Sequence, residues 1–233
     1  MHRVHRAAEP SGAPSRRAGR RLAVVVVAVA MLGCGVRGNG QAASEAREVA
    51  AFTRIDLHGL GTLTWRRGPD RPVRLSGDAN LLPLVRTEVR DGTLFIGPVE
   101  TIRPRLPLQY TLQSPLLEGI EVTGAARATL EDVQAQRLRI AVSGAGKVVA
   151  RGQANQLTVE LSGAADIDAL GLQADVVQVE VSGAGNVRVH ARRELDARLS
   201  GTGQIRYAGN PPVVRSDVSG AGRIDPIAPS AAD

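Results

Sequence analysis

The chain has 233 residues, enough for one domain with a sizeable core, but only 2% of them are aromatic, so that core must be aliphatic. The formal net charge is +6, yet residues 1–33 hold six arginines against one acid, Glu9, which leaves +1 for the rest. A nearly neutral body with few aromatic side chains argues against nucleic-acid binding. One cysteine excludes an internal disulfide, and four scattered histidines predict neither a metal site nor a cofactor.

The first 33 residues have the features of an export signal. A basic stretch ends at Arg21 and is followed by eleven apolar residues, 22–32. Eleven helical residues extend about 16 Å, roughly half of a bilayer's hydrocarbon core, so this segment is too short to span a membrane. We therefore predict a signal peptide over 1–33.

Cys34 directly follows this segment and Gly33, an arrangement that resembles a bacterial lipobox, in which the cysteine is acylated and becomes the mature N-terminus. Met31 stands where a lipobox has leucine, so two alternatives remain open: cleavage farther on, near 41–43, or a buried structural cysteine. We predict lipidation of Cys34, and with it a membrane anchor and an outer-membrane or periplasmic location, the cell surface included. Residues 34–50 have little apolar content and predict a flexible tether.

Residues 51–115 predict an irregular N-terminal β region that caps the repeats after it. Gly59 and Gly77 are 18 residues apart, which is close to the spacing of the later repeats. The pair Asp91-Gly92 joins two short alternating runs, 85–89 and 93–96, as in a β-hairpin.

Residues 116–225 consist of a repeat of about 19 residues. Each repeat closes an alternating apolar and polar run with a phrase such as Val-Ser-Gly-Ala-Gly, and this alternation is typical of a strand with one buried face. So short a period has no room for a helix of ten residues, and residues 116–210 contain no proline. The sequence predicts an all-β fold, a right-handed parallel β-helix, followed by a disordered tail at 226–233. The predicted structural turn glycines are Gly124, Gly144, Gly163, Gly183, Gly201 and Gly220.

Two groups of polar residues are candidates for chemistry. Asp166 and Asp168, with Asn186 one repeat later, can be a calcium site or an acid/base pair, or equally a polar rim of turns. The segment from Ser143 to Lys147 fails as a phosphate loop because its first glycine and its Ser/Thr are missing. A column of hydroxyls precedes the repeat glycines, and we interpret it as a structural ladder: Thr123, Ser143, Ser162, Ser182, Ser200 and Ser219.

The runs 52–59, 75–82 and 87–94, together with the repeated Val-Ser-Gly-Ala-Gly, resemble the bacterial family of autotransporter-adhesin head GIN domains. The resemblance covers about residues 51–225. It implies a β-helical fold and a cell-envelope setting, often behind a lipoprotein signal. The family has no assigned catalytic residues, so the resemblance implies none here.

We therefore expect a non-catalytic cell-envelope protein that presents a β-helix as a binding or scaffolding surface in the manner of an adhesin. Its expected partners are the membrane, through a lipid anchor, and an envelope protein or glycan, with a homo-oligomer as a further option. The first alternative is a carbohydrate-active β-helix enzyme that uses Asp166 and Asp168 on an acidic polysaccharide. The second is a periplasmic stress-related protein.

Overall fold

The computed structural model describes residues 35–227, and nearly all of their regular structure is β-strand. The one exception is a single 3-10 turn, Leu82–Leu84. The predicted signal peptide, Cys34 and the tail from residue 228 onward lie outside the described residues, so those predictions stay predictions.

Seventeen strands follow one another along the described chain. The first nine belong to the N-terminal region: β1 (Val36–Arg37), β2 (Ala42–Arg47), β3 (Arg54–Gly59), β4 (Thr62–Arg67), β5 (Val73–Asp78), β6 (Val85–Arg90), β7 (Thr93–Pro98), β8 (Ile102–Arg103) and β9 (Gln109–Ser114). The other eight form the repeats: β10 (Gly119–Gly124), β11 (Arg127–Gly144), β12 (Lys147–Gly163), β13 (Asp166–Gly183), β14 (Asn186–Gly201), β15 (Gln204–Ala208), β16 (Val213–Gly220) and β17 (Arg223–Pro226).

Strands β10 to β17 stack in parallel as the coils of a β-solenoid, which confirms the predicted fold class. The register places every repeat glycine on the glycine of the next coil. A period of about 19 residues predicts two or three short strands in each repeat. The structure differs, because one coil consists of a single strand of 16–18 residues and a two-residue turn. The strand continues through the other corners because register shifts, such as the one between Leu130 and Val133, bend it there.

The core lies inside the coils and is built from the inward half of each alternating run. The residues two positions before the repeat glycines form one of its columns, and Val122, Val142, Leu161, Val181 and Leu199 are all buried. Stacking puts like side chains over one another at about 4.8 Å, so aliphatic residues fill the interior.

The two largest buried side chains lie in the N-terminal coils. Trp65 on β4 donates its indole N–H to the hydroxyl of Ser114, at 2.9 Å. Tyr110 on β9 donates its hydroxyl to the carbonyl oxygen of Leu60, at 3.3 Å. Burial raises the pKa of the Tyr110 hydroxyl well above its ordinary value, so this group stays protonated and able to donate.

The N-terminal strands stack out of chain order. Strands β3 and β4 pair on one side with β7 and β9, and on the other side with β10 and β11. The coil at 54–67 is therefore inserted between the coil at 93–114 and the first repeat. Gly59 lies in the glycine column, opposite Gly124.

Antiparallel strands finish this end of the stack. The predicted hairpin is confirmed, because β6 pairs antiparallel with β7 through Asp91 and Gly92, which have φ angles of 49° and 70°. Gly77 does not belong to the glycine column, although its spacing from Gly59 is close to that of the repeats. It lies on β5, which pairs antiparallel with β2 and β9, and its partner is Ala43.

The flexible tether expected over 34–50 is wrong for 36–47, because β1 and β2 lie in that range. Strand β2 pairs along its length with β5. Arg47 fixes its end by donating to the carbonyl oxygens of Leu82, at 2.7 Å, and Val85, at 2.5 Å. These backbone and guanidinium hydrogen bonds order a segment that has few apolar side chains.

Candidate functional site

The outward side chains of β3, β10 and the equivalent part of each later coil form one continuous polar surface, which we call the serine face. Strands alternate their side chains, so the residues one, three and five positions before each coil glycine point away from the core. The first of these columns is a ladder of side chains that are polar on every coil: His58, Thr123, Ser143, Ser162, Ser182, Ser200 and Ser219.

The turn that borders the serine face depends on glycine. Gly163 has a φ of +128°, which disfavours any other residue, and a Cβ there would lie 2.5 Å from the carbonyl oxygen of Gly144. The turn residues bond to the coil below, since the N–H of Ala164 donates to the Gly144 carbonyl at 2.9 Å. The six predicted turn glycines all have positive φ angles.

A shallow groove of about 280 Å³ interrupts the serine face where Ala141 replaces the acidic residue of its column. Glu121 and Glu160 flank that alanine on the coils before and after it. Arg139 lies at the groove edge and pairs with Glu160 at 2.6 Å. The hydrogen bond from Arg139 to Glu160 raises the pKa of the guanidinium. The groove therefore holds Glu160, whose charge Arg139 neutralises, beside Glu121 and Glu180 of neighbouring coils.

The sequence predicts that Glu160 and Glu180 stack one coil apart, with Arg198 next to them, and the register confirms this order. The compensating contacts differ from the expected ones. Arg198 pairs with Asp196 on its own strand, at 3.1 Å, and the guanidinium beside Glu160 comes from Arg139. The sequence does not predict this partner because Arg139 and Glu160 occupy different columns on adjacent coils. Arg139 is five residues before its coil glycine and Glu160 is three before its own, so the pair is found only when the two columns are compared with each other.

Asp166 and Asp168 lie outside the serine face, at the start of β13. The Asp166 carboxylate accepts a hydrogen bond from the Asn186 side chain at 3.0 Å. Asp168 pairs with Arg188 at 3.3 Å and accepts the N–H of Leu170, also at 3.3 Å. Each carboxylate is thus engaged by a side chain of the next coil, as the register of β13 and β14 dictates. Within residues 35–227, no three His, Cys, Asp or Glu side chains come close enough together to hold a metal ion.

The two described histidines do not share a site. His58 belongs to the serine face, opposite Thr123, whereas His190 stacks between Gln173 and Ala208 on another stretch of the coil. The segment from Ser143 to Lys147 turns directly into strand β12. A phosphate loop leads into a helix, so the backbone here agrees with the failed motif.

Sequence reasoning also missed Asp78, a carboxylate that is only 1% exposed. It accepts the backbone N–H groups of Gly40 (2.6 Å), Arg105 (2.8 Å) and Leu106 (3.0 Å). Burial raises the pKa of this carboxyl, but the three N–H donors and the charge of Arg105 together outweigh burial and hold the pKa below its ordinary value. The segments that Asp78 joins are far apart in the chain, so no local sequence motif predicts these hydrogen bonds.

The protein is therefore a β-solenoid whose stacked coils have an aliphatic interior and share one polar outer face, the serine face. The chain belongs to the family described as "Putative auto-transporter adhesin, head GIN domain", which matches residues 51–211 and confirms the resemblance found in the sequence. No curated relative matches the chain. Among the described residues, no helix has the length and apolar character needed to cross a membrane.

Solved structures share this fold. One, of a "putative adhesin" from Bacteroides fragilis, has a TM-score of 0.70 and 22% identity, and covers 83% of this chain and 100% of its own. Another, of a "putative adhesin" from Parabacteroides merdae, has a TM-score of 0.51 and 19% identity over 83% and 99% of the two chains. A "putative lipid binding protein" from Parabacteroides distasonis has a TM-score of 0.52 and 19% identity over 82% and 99%. At such identities the likeness concerns the fold alone.

Proposed function

We propose that this protein is a non-catalytic, adhesin-like component of the cell envelope that binds a protein or glycan through its serine face. One observation carries the proposal: polar side chains recur at the same outward position on every coil from His58 to Ser219. Neighbouring hydroxyls are then about 4.8 Å apart along the stack. Such a row offers a donor and an acceptor at each step to an extended ligand.

The proposed address is the outer membrane or the periplasm, the cell surface included, with a lipid on Cys34. Strand β1 begins at Val36, so only Gly35 separates the proposed lipidated residue from the fold. Strands β1 and β2 belong to the capped end of the solenoid. An anchor at Cys34 would hold that end near the membrane and leave the later coils to extend away from it.

Protease shaving of intact cells tests the address. Cells that carry the wild-type chain or Cys34→Ala are treated with protease and blotted for the solenoid. We expect digestion of the wild-type solenoid on unbroken cells and release of the Cys34→Ala chain from the membrane fraction. Survival of the wild-type solenoid until the outer barrier is opened would contradict surface exposure and exclude contact with other cells.

Binding of the labelled, purified protein to intact producing cells tests the serine face. The double variant Ser162→Arg/Ser182→Arg places two bulky cations in the hydroxyl ladder, and we expect it to lose most of the bound signal. Gln153→Arg is the matched control, because Gln153 is exposed on another stretch of the same coil. Equal binding of the double variant and the wild type would reject the serine face as the binding surface.

Incubation with uronic-acid polymers separates this proposal from the enzymatic alternative. We expect no turnover by the purified protein. Turnover that Asp166→Ala and Asp168→Ala each abolish would replace the proposal with a carbohydrate-active enzyme.

A further inference from the structure

The last coil of the solenoid is open. Among the described residues, β16 pairs with β14 on one side, and nothing pairs with its other side. Val214 and Val218 continue the inward columns of Leu195 and Leu199, which are 0% and 1% exposed. The two valines are themselves 42% and 43% exposed, because none of the described residues forms a further coil over them. The strand thus presents apolar side chains together with an unpaired backbone edge.

The free backbone groups of β16 are those of its even-numbered residues. In a parallel ladder, the N–H and C=O of one residue point to the same neighbouring strand, and successive residues alternate between the two sides. In an earlier coil, the backbone N–H of Arg139 donates to the carbonyl oxygen of Glu118, toward the coil before it. Arg215 holds the same place, five residues before its glycine, and so points toward β14. Val214, Ser216 and Val218 therefore point their N–H and C=O groups outward.

This edge is complementary to itself. When two copies of β16 pair antiparallel about Ser216, each residue with free backbone groups lies opposite another residue with free backbone groups. The same register sets Arg215 opposite Asp217 of the second copy, and Val214 opposite Val218 of the second copy. If the centre of the pairing moves by one residue, Arg215 or Asp217 faces the same residue of the second copy. If it moves by two residues, Arg215 faces Val213 or Ala221 of the second copy. Of these five registers, the one about Ser216 alone pairs unlike charges.

We propose that two molecules join end to end through β16, antiparallel about a two-fold axis at Ser216. The opposite end of the solenoid is finished by the antiparallel strands β2 and β6, which carry charged side chains along their edges. Strand β17, beside β16, ends in Pro226, which has no N–H to donate. An isologous contact at one end closes as a dimer and does not propagate into a fibre. The dimer does not depend on the proposed function, and it places the two N-terminal ends at its far ends.

Sedimentation equilibrium of the full chain, in density-matched detergent, tests this pairing over a range of protein concentrations. We expect a reversible dimer for the wild type. Arg215→Asp and Asp217→Arg each set like charges opposite one another, so each should raise the dimer dissociation constant at least about tenfold. An equimolar mixture of the two variants restores both unlike pairs and should dimerise like the wild type, and so should the double charge swap.

Arg215 also pairs with Glu194 of its own molecule, so its replacement changes the last coil as well as the contact. Arg66→Asp is the matched control, because Arg66 is as exposed as Arg215, makes a comparable pair with Glu131 of a neighbouring coil, and lies on β4, far from the open edge. It should dimerise normally, and circular dichroism checks that every variant is folded. A wild type that stays monomeric, single variants that dimerise as tightly as the wild type, or a mixture that stays monomeric would each overturn the proposal.

Discussion

At the scale of single residues, the repeat glycines are held in place by two independent constraints. Gly163 combines a left-handed backbone with a close approach to the coil below, since a Cβ would lie 2.5 Å from a backbone carbonyl oxygen. A backbone atom of a hydrogen-bonded coil cannot move aside as the end of a flexible side chain can. The position therefore tolerates no side chain, however small.

We predict that Gly163→Ala lowers the free energy of unfolding by about 3 kcal/mol or more, since backbone strain and a steric clash add. Gly119→Ala is the control, because Gly119 lies in a strand without a positive φ and its Cβ would be 3.5 Å from the nearest atom. It should change stability by less than about 1 kcal/mol. Urea unfolding measures both, and equal midpoints for the two variants would refute the argument.

At the scale of elements, hydrogen bonds to Asp78 and from Arg47 help to hold strands β1 and β2, which bury few apolar side chains. Asp78 lies at the end of β5 and accepts N–H groups from the loop before β2 and from the segment before β9. Arg47 bonds to the segment that leads into β6. The polar composition of residues 35–48 points to a tether because it records nothing of these partners.

Asp78→Asn should therefore loosen the N-terminal strands. An amide offers one acceptor where the carboxylate offers two, so we expect faster hydrogen exchange over 36–47 and a lower melting temperature at pH 7. The pKa of Asp78 is lower in the folded protein than its ordinary 3.8, so its contribution is present above that value. The contribution is lost as pH falls through the folded-state pKa, and the gap between wild type and variant should close there.

Thermal unfolding between pH 7 and pH 2 measures this gap. Asp70→Asn is the charge-matched control, since Asp70 is exposed, and its curve should follow that of the wild type. A constant gap between Asp78→Asn and the wild type across this range would contradict the assigned role.

The elements that the sequence predicts are those whose information is local. Each repeat carries its own alternation and its own glycine, so the coils from β10 to β16 can be predicted one at a time. The Asp91-Gly92 hairpin is local as well. The insertion of β3 and β4 between later strands depends on pairing between distant segments, and no periodicity encodes it. The site divides in the same way: the hydroxyl ladder follows from the repeat, whereas the groove at Ala141 and the diagonal partner Arg139 require the register.

At the scale of the whole molecule, the two ends of the stack differ. Each inner coil has neighbours on both sides, and its stability depends on those neighbours. The N-terminal end encloses Trp65 and Tyr110 beneath antiparallel strands. The C-terminal end leaves all eight residues of β16 exposed. Local opening of the solenoid should therefore begin at β16 and β17 and reach the N-terminal coils last.

The same substitution at two positions of one core column tests this difference in stability between an inner coil and the last coil. Val181 and Val218 both lie two residues before a coil glycine, but the first is fully buried and the second is 43% exposed. Val181→Ala removes buried methyl groups and leaves a cavity, which should cost about 2–3 kcal/mol of unfolding free energy. Val218→Ala should cost less than about 0.5 kcal/mol in the dissociated protein. Urea unfolding below the dimer dissociation constant compares them, and similar costs would show that the last coil is covered.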